Sequence, residues 1–76
     1  MTMTHTLARI DNHAETIREL TRRVRAEYAE MPGLSVTLPQ AQRLLGIDEP
    51  MCAAIFGALV NQRVLRRTTE GRYIRA

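Results

Sequence analysis

The spacing of apolar positions over the first thirty residues predicts one long amphipathic helix. Apolar side chains recur at alternating intervals of three and four residues, at Leu7, Ile10, Ala14, Ile17, Val24, Tyr28 and Met31. Two starts fit this pattern. Asn12 and Glu15 have the form of a capping box, which would begin the helix there and leave residues 1–11 as a looser arm, whereas the alternative is one helix from about Thr6. The helix ends at about Glu30, because a Met-Pro-Gly sequence follows.

A second, shorter helix is predicted after a partly β-branched segment, Leu34–Thr37. Thr37 and Gln40 form another capping box, with a proline tolerated in the first turn. The helix spans about Leu38–Leu45, and Gly46 fits the left-handed C-cap. Its apolar positions share one face: Leu38, Ala41, Leu44 and Leu45.

A third helix and a hairpin complete the predicted fold. Asp48 is expected to cap a helix from Glu49 to about Arg63, and the three-residue turn before it contains glycine, as in a helix-turn-helix unit. Two runs with β-forming residues, "VLRRT" and "RYIRA", flank "TEG" and predict a C-terminal hairpin. The pattern predicts a mainly α fold with a long N-terminal helix and a small β-hairpin.

This order of elements resembles the winged helix-turn-helix superfamily over roughly residues 14–76. The resemblance is carried by "LPQAQRLLGID", "CAAIFGALVNQRVLRR" and "TTEGRYIR". It implies a winged helix-turn-helix domain at residues 13–76, with an N-terminal arm or helix extension at residues 1–12. Most members are transcription regulators that place the third helix in the major groove and the hairpin, or wing, along the phosphates, whereas a minority bind proteins. Arg63 departs from relatives that often have glycine there to end the helix.

The third helix carries little with which to read bases. At 100° per residue, the side expected to face the core consists of Cys52, Ile55, Phe56 and Leu59. The opposite, recognition-helix face consists of Glu49, Pro50, Ala53, Ala54, Gly57 and Asn61. Only Asn61 offers a base-reading amide, and Glu49 would repel phosphate. This face fits weak base readout, close contact with a protein, or a solvated surface that tolerates small residues.

Arginine provides all of the basic charge, with 11 basic residues against 8 acidic ones and a pI near 10.0. Arginine favours bidentate contact with phosphate or carboxylate, although a GC-rich genome gives the same bias. One cluster of arginines lies at the exit of the third helix and in the hairpin: Arg63, Arg66, Arg67, Arg72 and Arg75. A wing that contacts phosphates would explain this cluster, and so would a solvated hairpin whose arginines protect its edges from pairing. A second row, on the first helix, is expected to be structural because glutamates lie at i, i+4 spacing. It comprises Arg18, Arg22 and Arg25, with Glu15, Glu19 and Glu27.

No pattern in the sequence predicts catalysis, a cofactor or a metal site. His5 and His13 have no ligand partner at metal-binding spacing, and Cys52 lies on an apolar face, where a structural thiol is expected. No apolar run approaches the roughly 20 residues that span a bilayer, and the N-terminus lacks the pattern of a secretory signal. We therefore expect a cytoplasmic, non-enzymatic protein with no membrane association and no small-molecule substrate.

Two functions remain open. The first is that of a small DNA-binding protein of transcription-regulator type, which grips double-stranded DNA through its arginine-rich wing. The second is that of a protein–protein interaction module, which uses the small residues of the third helix. A homodimer is expected because the apolar stripe extends further than a winged helix needs, with a flexible arm as the alternative. The dimerisation residues would be Leu7, Ile10, Ala14 and Ile17.

Overall fold

A computed structural model describes the backbone of residues 2–76 and the side chains from residue 15 onward. Three helices and three short strands form a mainly helical fold with a small antiparallel sheet. In chain order they are α1 (Thr2–Glu30), β1 (Ser35–Thr37), α2 (Leu38–Leu45), α3 (Glu49–Asn61), β2 (Leu65–Arg67) and β3 (Arg72–Arg75). The mainly α fold and the C-terminal hairpin that the sequence predicts are both present.

The first helix is continuous from its first turn to Glu30. The prediction that a capping box at Asn12 begins it is wrong, because the residues on both sides of Asn12 are helical. The alternative of one helix is observed, but it begins at Thr2, about four residues before the predicted Thr6. Alanine, arginine and glutamate, which all favour helix, provide 13 of its 29 residues. Ile17 is half-buried and packs against the core of its own chain. The other predicted dimerisation residues are Leu7, Ile10 and Ala14, whose side chains lie outside the described part of the structure.

Both shorter helices have the caps that the sequence predicts. Thr37 Oγ1 accepts from the Gln40 N–H at 3.3 Å, and Gln40 Oε1 accepts from the Thr37 N–H at 2.9 Å, which completes the capping box. Gly46 ends α2 with a φ of 67°. The Asp48 carboxylate caps α3 by accepting from the Met51 N–H at 3.0 Å. The three-residue turn sets the two helices at 110° to each other.

The sheet has the strand order β1-β3-β2, so β3 is central and pairs antiparallel with both other strands. The hairpin loop between β2 and β3 is closed by the Gly71 N–H, which donates to the Thr68 carbonyl at 3.0 Å. Gly71 has a φ of 81°, the left-handed position that a three-residue hairpin loop places before the second strand. Tyr73 lies opposite Val36 of β1 and Arg67 of β2, and this register decides which side chains share a face.

One hydrophobic core lies between the helices and the inner face of the sheet. Its buried residues are Val24, Tyr28, Val36, Ala41, Cys52, Ile55, Phe56, Leu59, Leu65 and Tyr73. The Phe56 and Tyr73 rings meet edge to face with centroids 5.1 Å apart. The Tyr28 hydroxyl donates to the Tyr73 carbonyl oxygen at 2.6 Å, which links α1 to the central strand. The predicted core side of α3 is therefore confirmed.

The position of Leu44 contradicts the prediction that this residue belongs to the core. The sequence places it with the apolar face of α2, but its side chain is 68% exposed. The helix is only two turns long and reaches the core through Ala41, which is buried, and through Leu38 and Leu45, which pack against it. Leu44 is left at the margin of the helix, facing solvent.

The third helix ends at Asn61, about two residues earlier than predicted. Arg63 follows with a φ of 62°, in the left-handed region. Its N–H donates to the Val60 carbonyl at 3.0 Å, and the Val64 N–H donates to the Leu59 carbonyl at 2.9 Å. These two bonds form a Schellman motif, in which the left-handed residue is usually glycine. Arginine therefore occupies a position whose backbone favours glycine.

Candidate nucleic-acid interface

The face of α3 turned away from the core is smooth and open to solvent. Its exposed residues are Glu49, Pro50, Ala53, Ala54 and Asn61. Gly57 is half-buried, yet a Cβ added to it would meet no atom within 4 Å. The orientation predicted for this face is confirmed, and polar groups stand only at its two ends. We call its middle part the small-residue stripe, which consists of Pro50, Ala53, Ala54 and Gly57.

Two arginines share the side of the sheet that faces away from the core. In antiparallel strands, opposed residues project to the same side and consecutive residues project to opposite sides. Arg66 lies opposite Ile74, and Arg72 is two residues before Ile74 on the central strand. Arg66 and Arg72 are therefore diagonal neighbours, a relation in which residues of antiparallel strands lie about 7–8 Å apart. We call this side the outer sheet face; its residues are Ser35, Thr37, Arg66, Arg72 and Ile74.

Two other arginines of the predicted cluster occupy the alternate strand positions and do not share the outer sheet face. Arg67 lies over the hairpin loop, where its Nη2 is 3.7 Å from the position that a Cβ on Gly71 would take. Arg75 instead lines an open groove of about 430 Å³ together with Arg22 and Arg25 of α1. The strand register thus places the hairpin arginines, which lie close together in the sequence, on different faces of the sheet.

Carboxylates pair with few of these arginines. Among the side chains from residue 15 onward, one ion pair forms, between Arg22 and Glu19 at 3.9 Å with both partners exposed. Of the ion pairs predicted between arginines and glutamates on the first helix, only this i, i+3 pair forms among the side chains that the structure describes. Exposed pairs of this kind contribute little to stability. Arg25 Nη1 instead donates to Gln62 Oε1 at 3.5 Å. The outer sheet face keeps its positive charge available for an anionic partner.

The buried titratable groups serve the core. Burial raises the pKa of Tyr28 to about 12, and it also raises the pKa of the Cys52 thiol. The Cys52 sulfur points to the Leu38 carbonyl at 3.8 Å. Within the described side chains, no three histidine, cysteine or acidic residues come together as metal ligands would. The chemistry at the described surface is that of exposed guanidinium groups and small apolar side chains.

An apolar cleft lies between α1, α2 and β1, and the sequence reasoning missed it. It encloses about 210 Å³. Its lining includes Arg23, Val24, Glu27, Tyr28, Val36 and Phe56. Met31 and Leu44 also line it, and they are the large apolar side chains exposed in the described part of the chain, at 49% and 68%. The available signal was the number of apolar residues on α2, which exceeds what a two-turn helix buries.

Comparison of the chain with protein-family models, with curated proteins and with solved structures found no match. In the described range, no single helix is long and apolar enough to cross a membrane; α2 and α3 reach that composition only as a pair, bent by 110°. The geometry and charge of the surfaces described above are therefore the basis for a functional proposal.

Proposed function

We propose that this protein is a DNA-binding module of winged helix-turn-helix type that acts in transcription regulation. The fold assignment is supported by two helices at 110° across a three-residue turn, followed by a hairpin that joins a third strand. The observation that carries the function is the outer sheet face. Arg66 and Arg72 lie there as neighbours, and neither forms an ion pair with a carboxylate among the described side chains.

Two neighbouring guanidinium groups on a hairpin suit contact with successive phosphates of one DNA strand. Guanidinium binds phosphate through two parallel hydrogen bonds, which fixes the geometry of the contact as well as its charge. Arg63, exposed at the exit of α3, adds a third cation between the helix and the hairpin. Such contacts position a protein on the duplex without reading its sequence.

Base recognition by α3 would be weak. The small-residue stripe allows the helix backbone to approach closely, but it offers no donor or acceptor to a base edge. Glu49 can accept from a cytosine amino group, and Asn61 can bond adenine, but they lie at opposite ends of the helix. We therefore expect an affinity dominated by phosphate contacts and a modest preference for sequence.

Fluorescence anisotropy with a labelled random duplex, measured between about 50 and 200 mM salt, tests this proposal. Arg66→Ala and Arg72→Ala should each lower the slope of log affinity against log salt by about 0.9. Arg72→Lys should retain the slope, because the charge remains. Arg18→Ala, at an exposed position on α1, removes the same charge and should leave the slope unchanged. No binding at about 50 mM salt, or an equal loss in the Arg18 variant, would contradict the proposal.

Protein contact through the small-residue stripe is the second candidate function. It is supported by the open space at Gly57 and by the exposed Ala53 and Ala54, which together would admit the backbone of another helix. Under this alternative, Ala53→Glu abolishes association with the partner, while Arg66→Ala acts mainly on the association rate. Under the DNA proposal, Arg66→Ala lowers the salt slope, and Ala53→Glu weakens binding by placing a carboxylate against the groove.

A further inference from the structure

We infer that the apolar cleft is one half of a two-fold interface, covered by the same surface of a second copy of this chain. The inference is independent of DNA binding. The cleft volume of about 210 Å³ is below the roughly 300–1,000 Å³ of sites that hold small molecules. A space of this size suits one or two apolar side chains from a partner.

The surface around the cleft offers both the cavity and the side chains to fill it. Met31 and Leu44 stand at its rim, exposed by 49% and 68%, while buried core residues such as Tyr28 and Phe56 form part of its wall. A two-fold interface requires one patch to complement itself, so that each residue meets a different residue of the other copy. Leu44 of each copy can then enter the cleft of the other.

Charge at the cleft favours a second copy as the occupant. Arg23 and Glu27 both line it and lie one turn apart on α1, yet they form no ion pair with each other. An arginine four residues before a glutamate is the less favourable order for a pair within one helix. When two copies of α1 lie antiparallel, Arg23 of one copy meets Glu27 of the other, and the two-fold axis forms this pair twice.

The size of the chain is compatible with such a contact. A standard interface buries about 800 Å² on each partner, which is about one seventh of the 5657 Å² surface of this chain. The cleft supplies the centre of that area, and the neighbouring exposed surfaces of α1 and α2 supply the rest. None of the residues that line the cleft belongs to the small-residue stripe or to the outer sheet face.

Sedimentation equilibrium of the full chain tests the inference. The unmodified protein should dimerise with a Kd on the order of 10–100 μM, as expected for a contact with one small apolar centre. Leu44→Glu should weaken the dimer at least about 30-fold, because it places a charge in the apolar centre. Thr69→Glu, which introduces the same residue at an exposed position of the hairpin loop, is the matched control and should have little effect, because that loop contributes no residue to the cleft.

Charge reversal tests the two-fold geometry itself. Arg23→Glu and Glu27→Arg should each weaken the dimer about tenfold, since each places like charges opposite one another twice. The double variant restores opposite charges and should recover most of the affinity. Circular dichroism of each variant confirms that it is folded.

Four outcomes would overturn the inference. They are a monomer at several hundred micromolar, a dimer that survives Leu44→Glu, a double reversal that fails to restore affinity, and a dimer lost by Leu7→Glu with Ile10→Glu. The last outcome would place the interface on the N-terminal stripe of α1 instead of the cleft.

Discussion

Replacing Arg63 with glycine should stabilise the protein. Arg63 is the non-glycine residue with positive φ in residues 2–76, at 62°, and it occupies the left-handed position of the Schellman motif after α3. Glycine adopts this conformation without the clash between Cβ and the following carbonyl. The change leaves the two backbone bonds of the motif intact, and it lies outside the helix, so no loss of helix propensity opposes it.

The expected gain follows from two opposing terms. Left-handed geometry costs an L-residue about 1–2 kcal/mol. Glycine also gives the unfolded chain more conformational freedom, which cancels about 0.4–1 kcal/mol of the stability gained by removing this strain. A net stabilisation of about 0.5–1 kcal/mol remains. For a domain of this size, it raises Tm by about 2–8 °C.

Thermal and urea denaturation of three variants measure this effect. Arg63→Ala keeps the Cβ and should show no gain, whereas Arg63→Asn should gain part of it because asparagine tolerates left-handed geometry. If Arg63→Gly is no more stable than Arg63→Ala, the backbone at this position is not strained. In the DNA-binding assay, the glycine variant should lower the slope of log affinity against log salt by about 0.9 although it is more stable, as expected where strain is retained for function.

Three further predictions concern the core and two of the glycines. Stability should fall between about pH 10 and 12, by on the order of 2 kcal/mol, because burial raises the pKa of Tyr28 to about 12 and the unfolded chain releases this proton first. Urea denaturation at pH 9 and 11.5 should show a smaller loss of stability for Tyr28→Phe than for the unmodified protein. At neutral pH this variant should be less stable by about 1 kcal/mol, because it lacks the hydrogen bond to the Tyr73 carbonyl. Gly46→Ala should lower the free energy of unfolding by about 1 kcal/mol, because φ is 67° there. Gly57→Ala should raise it by about 0.5–1 kcal/mol, because a methyl group in this helix meets no atom within 4 Å; the opposite sign in either glycine variant would contradict this reasoning.

The features that sequence predicted best depend on residues close together in the chain. The capping box at Thr37, the left-handed Gly46 and the Asp48 cap each involve a few consecutive residues, and each is present in the structure. The start of α1 was ambiguous for the same reason. Asn12 and Glu15 satisfy the local pattern of a cap, but the residues before them are equally compatible with helix, and the helix continues through them.

The location of Leu44 depended on information that a helical pattern does not contain. Periodicity identifies the apolar side of a helix, but the width that is buried depends on what packs against it. α2 has only two turns and contacts the core through Leu38, Ala41 and Leu45. Leu44 is therefore exposed and forms part of the cleft rim. A single exposed leucine is ordinary, but Leu44 and Met31 lie together at the apolar cleft, and a contiguous apolar surface of this kind points to a partner.

The division of the arginines was accessible from the sequence through the hairpin loop. A three-residue loop ending in Gly71 pairs Thr68 with Arg72, and continuing the count places Arg66 opposite Ile74. Alternation along the strands then puts Arg66 and Arg72 on the outer sheet face. Counting basic residues in the hairpin treats all of its arginines as one patch, whereas the loop length determines which of them can contact the same strand of phosphates. The pair that the register selects is therefore the one whose replacement distinguishes a phosphate-binding hairpin from a hairpin that is merely basic.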